Sequence, residues 1–285
     1  MNSKILGIKH SGQLGDIVYS MSFIKRFIEK NKFDFAIVFI PSNKMANHIK
    51  GLNHISNDLM VTQSMYEFIK PLMLNEFFIK DVLFLPEQSI PENVLDLDAI
   101  RNGNINLSAG NIKSYYYKYF SLIDDHSRNW LSPAKSDDSH TYKIVIGRST
   151  RYLNQTIDYT LLNDFELKIG FLGTDYEYAK ITEVFPSLKI EKIFINNALD
   201  AAAAISQSSL YIGNQSLFFA IAEGIHHPRL LESFEPVPNV IPCPGNSGAF
   251  ITTDGMMKLV SDALSLNVTL RTTEKNTSLG YLLSY

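Results

Sequence analysis

The feature that most constrains this chain is an alternation running through nearly its whole length. Short apolar runs rich in β-branched residues are each followed by a turn and, in most cases, by a segment with the period of a helix. That is the pattern of βαβ units around a parallel sheet, and it makes the fold class α/β. In the first half, strands are predicted near Ile5–Lys9, Phe35–Phe39, Val82–Leu85 and Val94–Leu97, with helices over Ile17–Glu29 and Asn111–Ile123. The pattern restarts after a polar, aperiodic stretch from Asp124 to His140, with strands near Tyr142–Ile146, Leu167–Leu172, Lys189–Ile195, Leu210–Ile212 and Arg229–Leu231. The expected organisation is therefore two Rossmann-like domains, 1–132 and 133–262, followed by a tail over 263–285 that packs back on the first domain.

The 285 residues are enough for each half to bury a core of its own, and a hydrophobic fraction of 45% suits ordinary globular packing. With 26 Lys and Arg against 29 Asp and Glu there is no basic surplus, which argues against nucleic acid as a partner. The single cysteine, Cys243, excludes an internal disulfide, and the N-terminus enters its first strand without a signal-peptide core, so a cytoplasmic location is expected. No apolar run reaches membrane-spanning length. The aromatic stripe Tyr115, Tyr116, Tyr117, Tyr119 and Phe120 with Lys113 and Lys118 reads first as core, leaving a peripheral membrane contact open.

The first βα loop, Lys9-His10-Ser11-Gly12-Gln13-Leu14-Gly15-Asp16, carries glycines that permit a tight turn and close backbone approach to a ligand. Its G-x-x-G spacing is neither the dinucleotide fingerprint nor a Walker loop. Asp16 is expected at the N-cap of the helix beginning at Ile17, where free backbone N–H groups favour a carboxylate. The same position at a strand-end cleft suits a base that takes a proton from a hydroxyl. His10, Ser11, Gly12 and Gly15 are the other candidate cleft residues of this loop.

The run S-x-x-L-G-D at Ser11–Asp16, before Ile17 and Val18, resembles the opening of the bacterial heptosyltransferases of lipopolysaccharide core synthesis. Two further landmarks follow in the family's order. Phe171-Leu172-Gly173-Thr174-Asp175-Tyr176-Glu177 is similar to its strand and glycine turn with an acidic residue, and Leu199–Ser216 is similar to its run ending in G-N-D-S-G. The resemblance implies a GT-B architecture, with parallel sheets facing a central cleft. It further implies metal-independent, inverting transfer of a sugar from a nucleotide-sugar donor to a hydroxyl on a glycan acceptor, with Asp16 as base and no cofactor. Where the family has D-S-G and a histidine three residues on, this chain has Gln215-Ser216-Leu217 and Ala220. That departure points to a donor other than ADP-heptose, or to a differently held diphosphate.

A nucleoside diphosphate needs N–H groups at a helix N-terminus and one or two cations. The turn through Asn214, Gln215, Ser216 and Leu217 supplies the first, and Arg148 or Arg151 the second; Arg151-Tyr152 resembles the family's lysine near a tryptophan. Glu177 matches the acidic position that the resemblance gives to the nucleoside ribose, with Glu223 a second candidate. Asn246 and Ser247, in the turn-rich loop after Cys243, are placed at the cleft rim. His226 and His227 are adjacent and lack a third ligand at useful spacing, so no metal site is expected. A retaining transferase, a sugar-nucleotide epimerase and a non-catalytic binding protein remain as alternatives, since architecture does not fix chemistry. The sugar, the acceptor and the oligomeric state are not legible in the sequence.

Overall fold

The computed structural model describes residues 3–46, 58–124, 129–132 and 142–265. The strands β1 (Ile5–Lys9), β2 (Phe35–Pro41), β3 (Ile79–Leu85) and β4 (Leu95–Asp96) form one sheet in the order β3-β2-β1-β4. A second sheet contains β5 (Ile144–Gly147), β6 (Ile169–Phe171), β7 (Ile190–Lys192), β8 (Leu210–Asn214), β9 (Arg229–Glu232) and β10 (Ser247–Phe250), in the order β10-β9-β8-β5-β6-β7. Every strand pairing within the two sheets is parallel. The α/β class and the two-sheet architecture expected from the alternation are those of the molecule. Strands such as β5 (IVIG) and β8 (LYIGN) are buried at every position, which is why they read as continuous apolar runs.

The first strand of each sheet lies inside it, and the chain leaves in opposite directions on either side. β1 is flanked by β2 and β4, and β5 by β6 and β8. In open parallel sheets such a reversal leaves a crevice beyond the carboxyl ends of the strands. The helices that follow are α1 (Leu14–Asn31) after β1 and α6 (Leu217–Gly224) after β8; α1 packs on α6 across the two sheets. Between them lie α2 (Gln63–Leu74), α3 (Ile112–Tyr119), α4 (Asp175–Val184) and α5 (Ala198–Gln207), with α7 (Thr253–Ala263) closing the second half. One hydrophobic cluster runs from Ile8 and Ile17 through Phe219 to Tyr211, so apolar packing joins the halves.

Within the polar stretch 124–140, read as a linker, Trp130 and Leu131 are only 1% exposed. Both donate their backbone N–H to Gly224 O at the end of α6, and the Trp130 indole N–H reaches Val18 O in α1 at 3.0 Å. This segment is a staple between the halves. The remainder of that linker, 125–128 and 133–140, and the tail from 266 onward lie outside the described residues. In the aromatic stripe, Tyr115, Tyr116 and Tyr117 are core residues packed against α1, and buried Lys113 pairs with Asp124 at 2.8 Å beneath Trp130. Among the described residues, no helix is long and apolar enough to cross a membrane.

Candidate active site

At the carboxyl ends of β1 and β5 lies a cleft of about 710 Å³, lined from both halves of the chain. The α1 wall contributes Gln13, Leu14, Gly15, Asp16 and Tyr19, while Arg101 enters from the 3-10 turn Leu97–Asn102 that follows β4. The opposite wall is Gln215, Ser216 and Leu217 at the start of α6, Ser149, Arg151 and Tyr152 after β5, and Thr174, Asp175 and Glu177 at the start of α4. The N-termini of α1, α4 and α6 therefore open on one cavity, where unpaired N–H groups and helix dipoles favour negative charge.

Asp16 does not cap α1 as expected. The helix begins earlier, at Leu14, with Gln13 at the N-cap, and Asp16 is its third residue. Its Oδ2 accepts the Gln13 backbone N–H at 3.2 Å, a reach-back that fixes the carboxylate at the mouth of the helix. Arg101 Nη2 stands 3.8 Å from the same oxygen. Gly12 is required by close approach: a Cβ there would meet His10 Cε1 at 2.5 Å and Asp16 Cβ at 2.8 Å. His10, expected in the cleft, is instead 1% exposed beneath the turn, hydrogen-bonded to Tyr116 and to the Gly12 N–H. Ser11 also faces away from the cleft lining, its N–H held by Asp98 Oδ1 at 3.0 Å.

On the opposite wall the two candidate arginines separate. Arg151 lines the cleft and rests on the Tyr152 ring at 5.3 Å. Arg148 is buried and forks onto Glu232, with Nε at 2.7 Å and Nη2 at 2.9 Å from its two oxygens, so it is not a cleft cation. Asn214 is fully buried and acts as a brace: its Oδ1 accepts Ser149 N–H and its Nδ2 donates to Ser149 O and Tyr152 O. It shapes the Arg151 loop from behind. Glu223 is likewise withdrawn, because its fully buried carboxylate pairs with Arg229 and accepts the Cys243 N–H; a ribose contact is not open to it. Glu177 lines the cleft, with Oε2 closing a capping box on Thr174 N and Oγ1 at 2.9 and 3.1 Å. Asn246 and Ser247 do not reach the cleft; the Ser247 hydroxyl donates to Cys243 O.

Buried polar atoms of the lining without a hydrogen-bond partner among the described residues include Gln13 Oε1, Ser149 Oγ and Gln215 Oε1. For Gln215 the reason is geometric. Its Nε2 donates to Val237 O and Asn239 Oδ1, both at 2.7 Å, which leaves the amide oxygen as a preset acceptor. Buried polar groups of this kind cost about 1–3 kcal/mol each unless something completes them, and a cleft lined by them is suited to a hydroxyl-rich ligand. Sequence reasoning missed Arg101, Lys192 and Ser149. Lys192, at the end of β7, lines the cleft and pairs with Asp175. Among the described residues no group of three or more His, Cys, Asp or Glu is arranged to hold a metal ion. His227 meets Ser208 Oγ at 2.9 Å.

The sequence matches no family model and no curated protein. The fold, however, is matched by solved structures. E. coli heptosyltransferase WaaC, solved with ADP-2-deoxy-2-fluoro heptose, superposes with a TM-score of 0.57 over 90% of this chain and 99% of its own, at 7% identity. E. coli ADP-heptose lps heptosyltransferase II gives 0.59 over 92% and 98%, at 11% identity. The fold is that of the heptosyltransferases. A glycosyl transferase family 9 protein of Veillonella parvula shares it too, with a TM-score of 0.55 at 11% identity over 92% of this chain and 91% of its own. At these identities the likeness establishes a GT-B architecture with paired parallel sheets, the one implied by the S-x-x-L-G-D loop and the Leu199–Ser216 run.

Proposed function

We propose that the protein is a glycosyltransferase that moves a sugar from a nucleotide-sugar donor to a hydroxyl of a glycan acceptor. The observation that carries this reading is the opposition within one cleft of Asp16 on α1 to the α6 N-terminus and Arg151. A base and a diphosphate site face each other across a space large enough for both substrates. Solved structures of the same fold, at low identity, bear ADP and ADP-heptose analogues, which supports the placement of a nucleotide sugar here.

In this reading the amides of Ser216 and Leu217 and the Arg151 guanidinium hold the diphosphate as it gains charge on leaving. Glu177, with one oxygen committed to Thr174, offers the other to a ribose hydroxyl. Asp16 removes the proton from the acceptor hydroxyl, which attacks the anomeric carbon opposite the leaving diphosphate and inverts its configuration. These side chains require no metal for the step. Neutral Gln215 and Leu217, where the heptosyltransferase pattern has aspartate and glycine, suit a nucleotide sugar other than ADP-heptose or a differently held diphosphate, and a bacterial surface glycan is the acceptor class proposed.

Nucleotide-sugar binding is to be screened by calorimetry and the best donor then used for transfer with EDTA present. Asp16→Asn is expected to keep donor affinity and to lose about 10²–10⁴-fold in kcat, the range of a general base. Normal turnover by that variant would remove Asp16 from the mechanism, and failure of every nucleotide sugar to bind would remove the enzyme reading. NMR of the product anomer reports inversion directly.

A further inference from the structure

The Asp16 turn is built around a buried histidine that the proposed chemistry leaves unused. Three hydrogen bonds define its surroundings. The Gly12 N–H donates to His10 Nδ1 at 2.9 Å, which makes Nδ1 an acceptor and fixes the ring proton on Nε2. That Nε2 lies 2.7 Å from the Tyr116 hydroxyl oxygen and donates to it. The Tyr116 O–H is thereby turned to donate in its own right, toward the Asp16 backbone carbonyl at 3.4 Å. Both side chains are essentially inaccessible, at 1% and 2% exposure, so water does not compete for these contacts.

We propose that His10 and Tyr116 are positioning residues for Asp16: the neutral imidazole braces the turn at Gly12 and, through the Tyr116 hydroxyl, registers the first turn of α1 against α3. The inference rests on Asp16 being the base. A second brace converges on the same turn, since Asp98 Oδ1 accepts Ser11 N–H and Asp98 N–H is held by Asp96 Oδ1. Asp16 is thus set from three sides: its carboxylate accepts the Gln13 N–H, its backbone carbonyl faces the Tyr116 hydroxyl of α3, and the loop before it is held at Ser11 by Asp98 of the 3-10 turn.

Protonation of His10 would break the arrangement, because a charged imidazole has N–H groups on both sides and one would point at the Gly12 N–H. The charged groups facing the ring are Asp98 and Arg101 from the 3-10 turn, Asp96 at the end of β4 and Asp16 from α1, with Tyr116 facing it from α3. Burial lowers the His10 pKa below the ordinary histidine value, against the pull of Asp98 and Asp16. Burial thus favours the neutral, bracing form.

The test is a double-mutant cycle on the transfer reaction. Tyr116→Phe removes one hydroxyl and keeps the ring; His10→Asn offers an oxygen in place of Nδ1 for Gly12 but is too short to reach Tyr116. Each is expected to lower kcat on the order of tenfold with donor KM nearly unchanged and Tm lowered by only a few degrees for the buried partner left unpaired, and the double variant to be no slower than either single one. The acid limb of the kcat profile is expected to lose its histidine component in His10→Asn. Full-rate turnover by Tyr116→Phe, a rise in donor KM at constant kcat, or defects that multiply to about a hundredfold would each overturn the proposal while leaving the transferase reading intact. Absence of transfer by the wild-type protein with any donor would overturn both.

Discussion

Gly15 lies against the backbone of Leu217, and a Cβ at position 15 would sit 3.8 Å from both Leu217 Cα and Leu217 N. Residue 15 belongs to the first turn of α1 and residue 217 to the first turn of α6, so this contact sets how closely the two helix N-termini approach across the cleft. An alanine fits at ordinary van der Waals distance and removes the entropy penalty of a helical glycine, so Gly15→Ala is expected to hold or raise stability by up to about 1 kcal/mol. Gly15→Leu has no such room and must send its side chain into the cleft. It is expected to weaken nucleotide-sugar binding at least about tenfold while the fold persists, as read by calorimetry beside a thermal melt.

Arg148 and Arg151 make a paired prediction, because only two residues separate a structural cation from a cleft cation. Arg151→Ala is expected to reduce affinity for a nucleoside diphosphate by about ten- to a hundredfold, the effect shrinking at high salt, with Tm scarcely altered. Arg148→Ala leaves Glu232 buried at 0% exposure with only Tyr159 and Asn154 N–H to hold it, and is expected to cost about 3–5 kcal/mol of stability. Urea titrations of the two variants decide the assignment; equal losses of stability would show that Arg151 is also structural.

The contrast between these arginines shows what sequence could and could not convey. The strands were legible because parallel strands buried on both faces need unbroken apolar runs, and β1, β2, β5, β8 and β9 all start within two residues of their expected positions. α2 was hidden by Pro71, which breaks a helical pattern on paper yet sits in the last turn of the folded helix. The site divided along the same physical line. Asp16, Arg151, Glu177, Ser216 and Leu217 follow strand ends directly, and the topology alone carries them to the cleft. Arg148 and Glu223 lie as close to strand ends or within the helix expected to form the site. What withdraws them is a partner distant in sequence or hidden in the core, Glu232 for the first and Arg229 with Cys243 N–H for the second. Arg101 reached the cleft from a 3-10 turn that no periodicity announces.

Glu223 and Arg229 are both fully buried, and their pairing joins the end of α6 to β9 while Arg229 also donates to His227 O and Cys243 O. Removing either partner strands the other in a medium that cannot solvate it. Glu223→Gln is expected to lower the unfolding free energy by about 3–5 kcal/mol, with nucleotide affinity unchanged in the fraction that remains folded. A variant of wild-type stability that had lost nucleotide binding would instead return Glu223 to the donor site.

Acid should destabilise the fold through half-buried His227 and buried His10 before most carboxylates titrate. Burial, aided by the nearby Arg229 charge, lowers the His227 pKa to about 4, against an ordinary value near 6.5 in the unfolded chain. Between those values the unfolded state binds the proton and the native state does not, so stability rises with pH across the window. The contribution is complete above about pH 6.5 and is lost as the pH falls toward 4, amounting to roughly 3 kcal/mol at about 1.4 kcal/mol per pH unit. His10, also lowered by burial, acts in the same direction. His227→Gln removes the titrating ring while keeping an amide that can meet the Ser208 hydroxyl, now at 2.9 Å from the imidazole. Denaturant midpoints measured from pH 7.5 to 4.5 should fall less steeply for this variant than for the wild type. Parallel curves would mean that His227 is protonated in the folded protein.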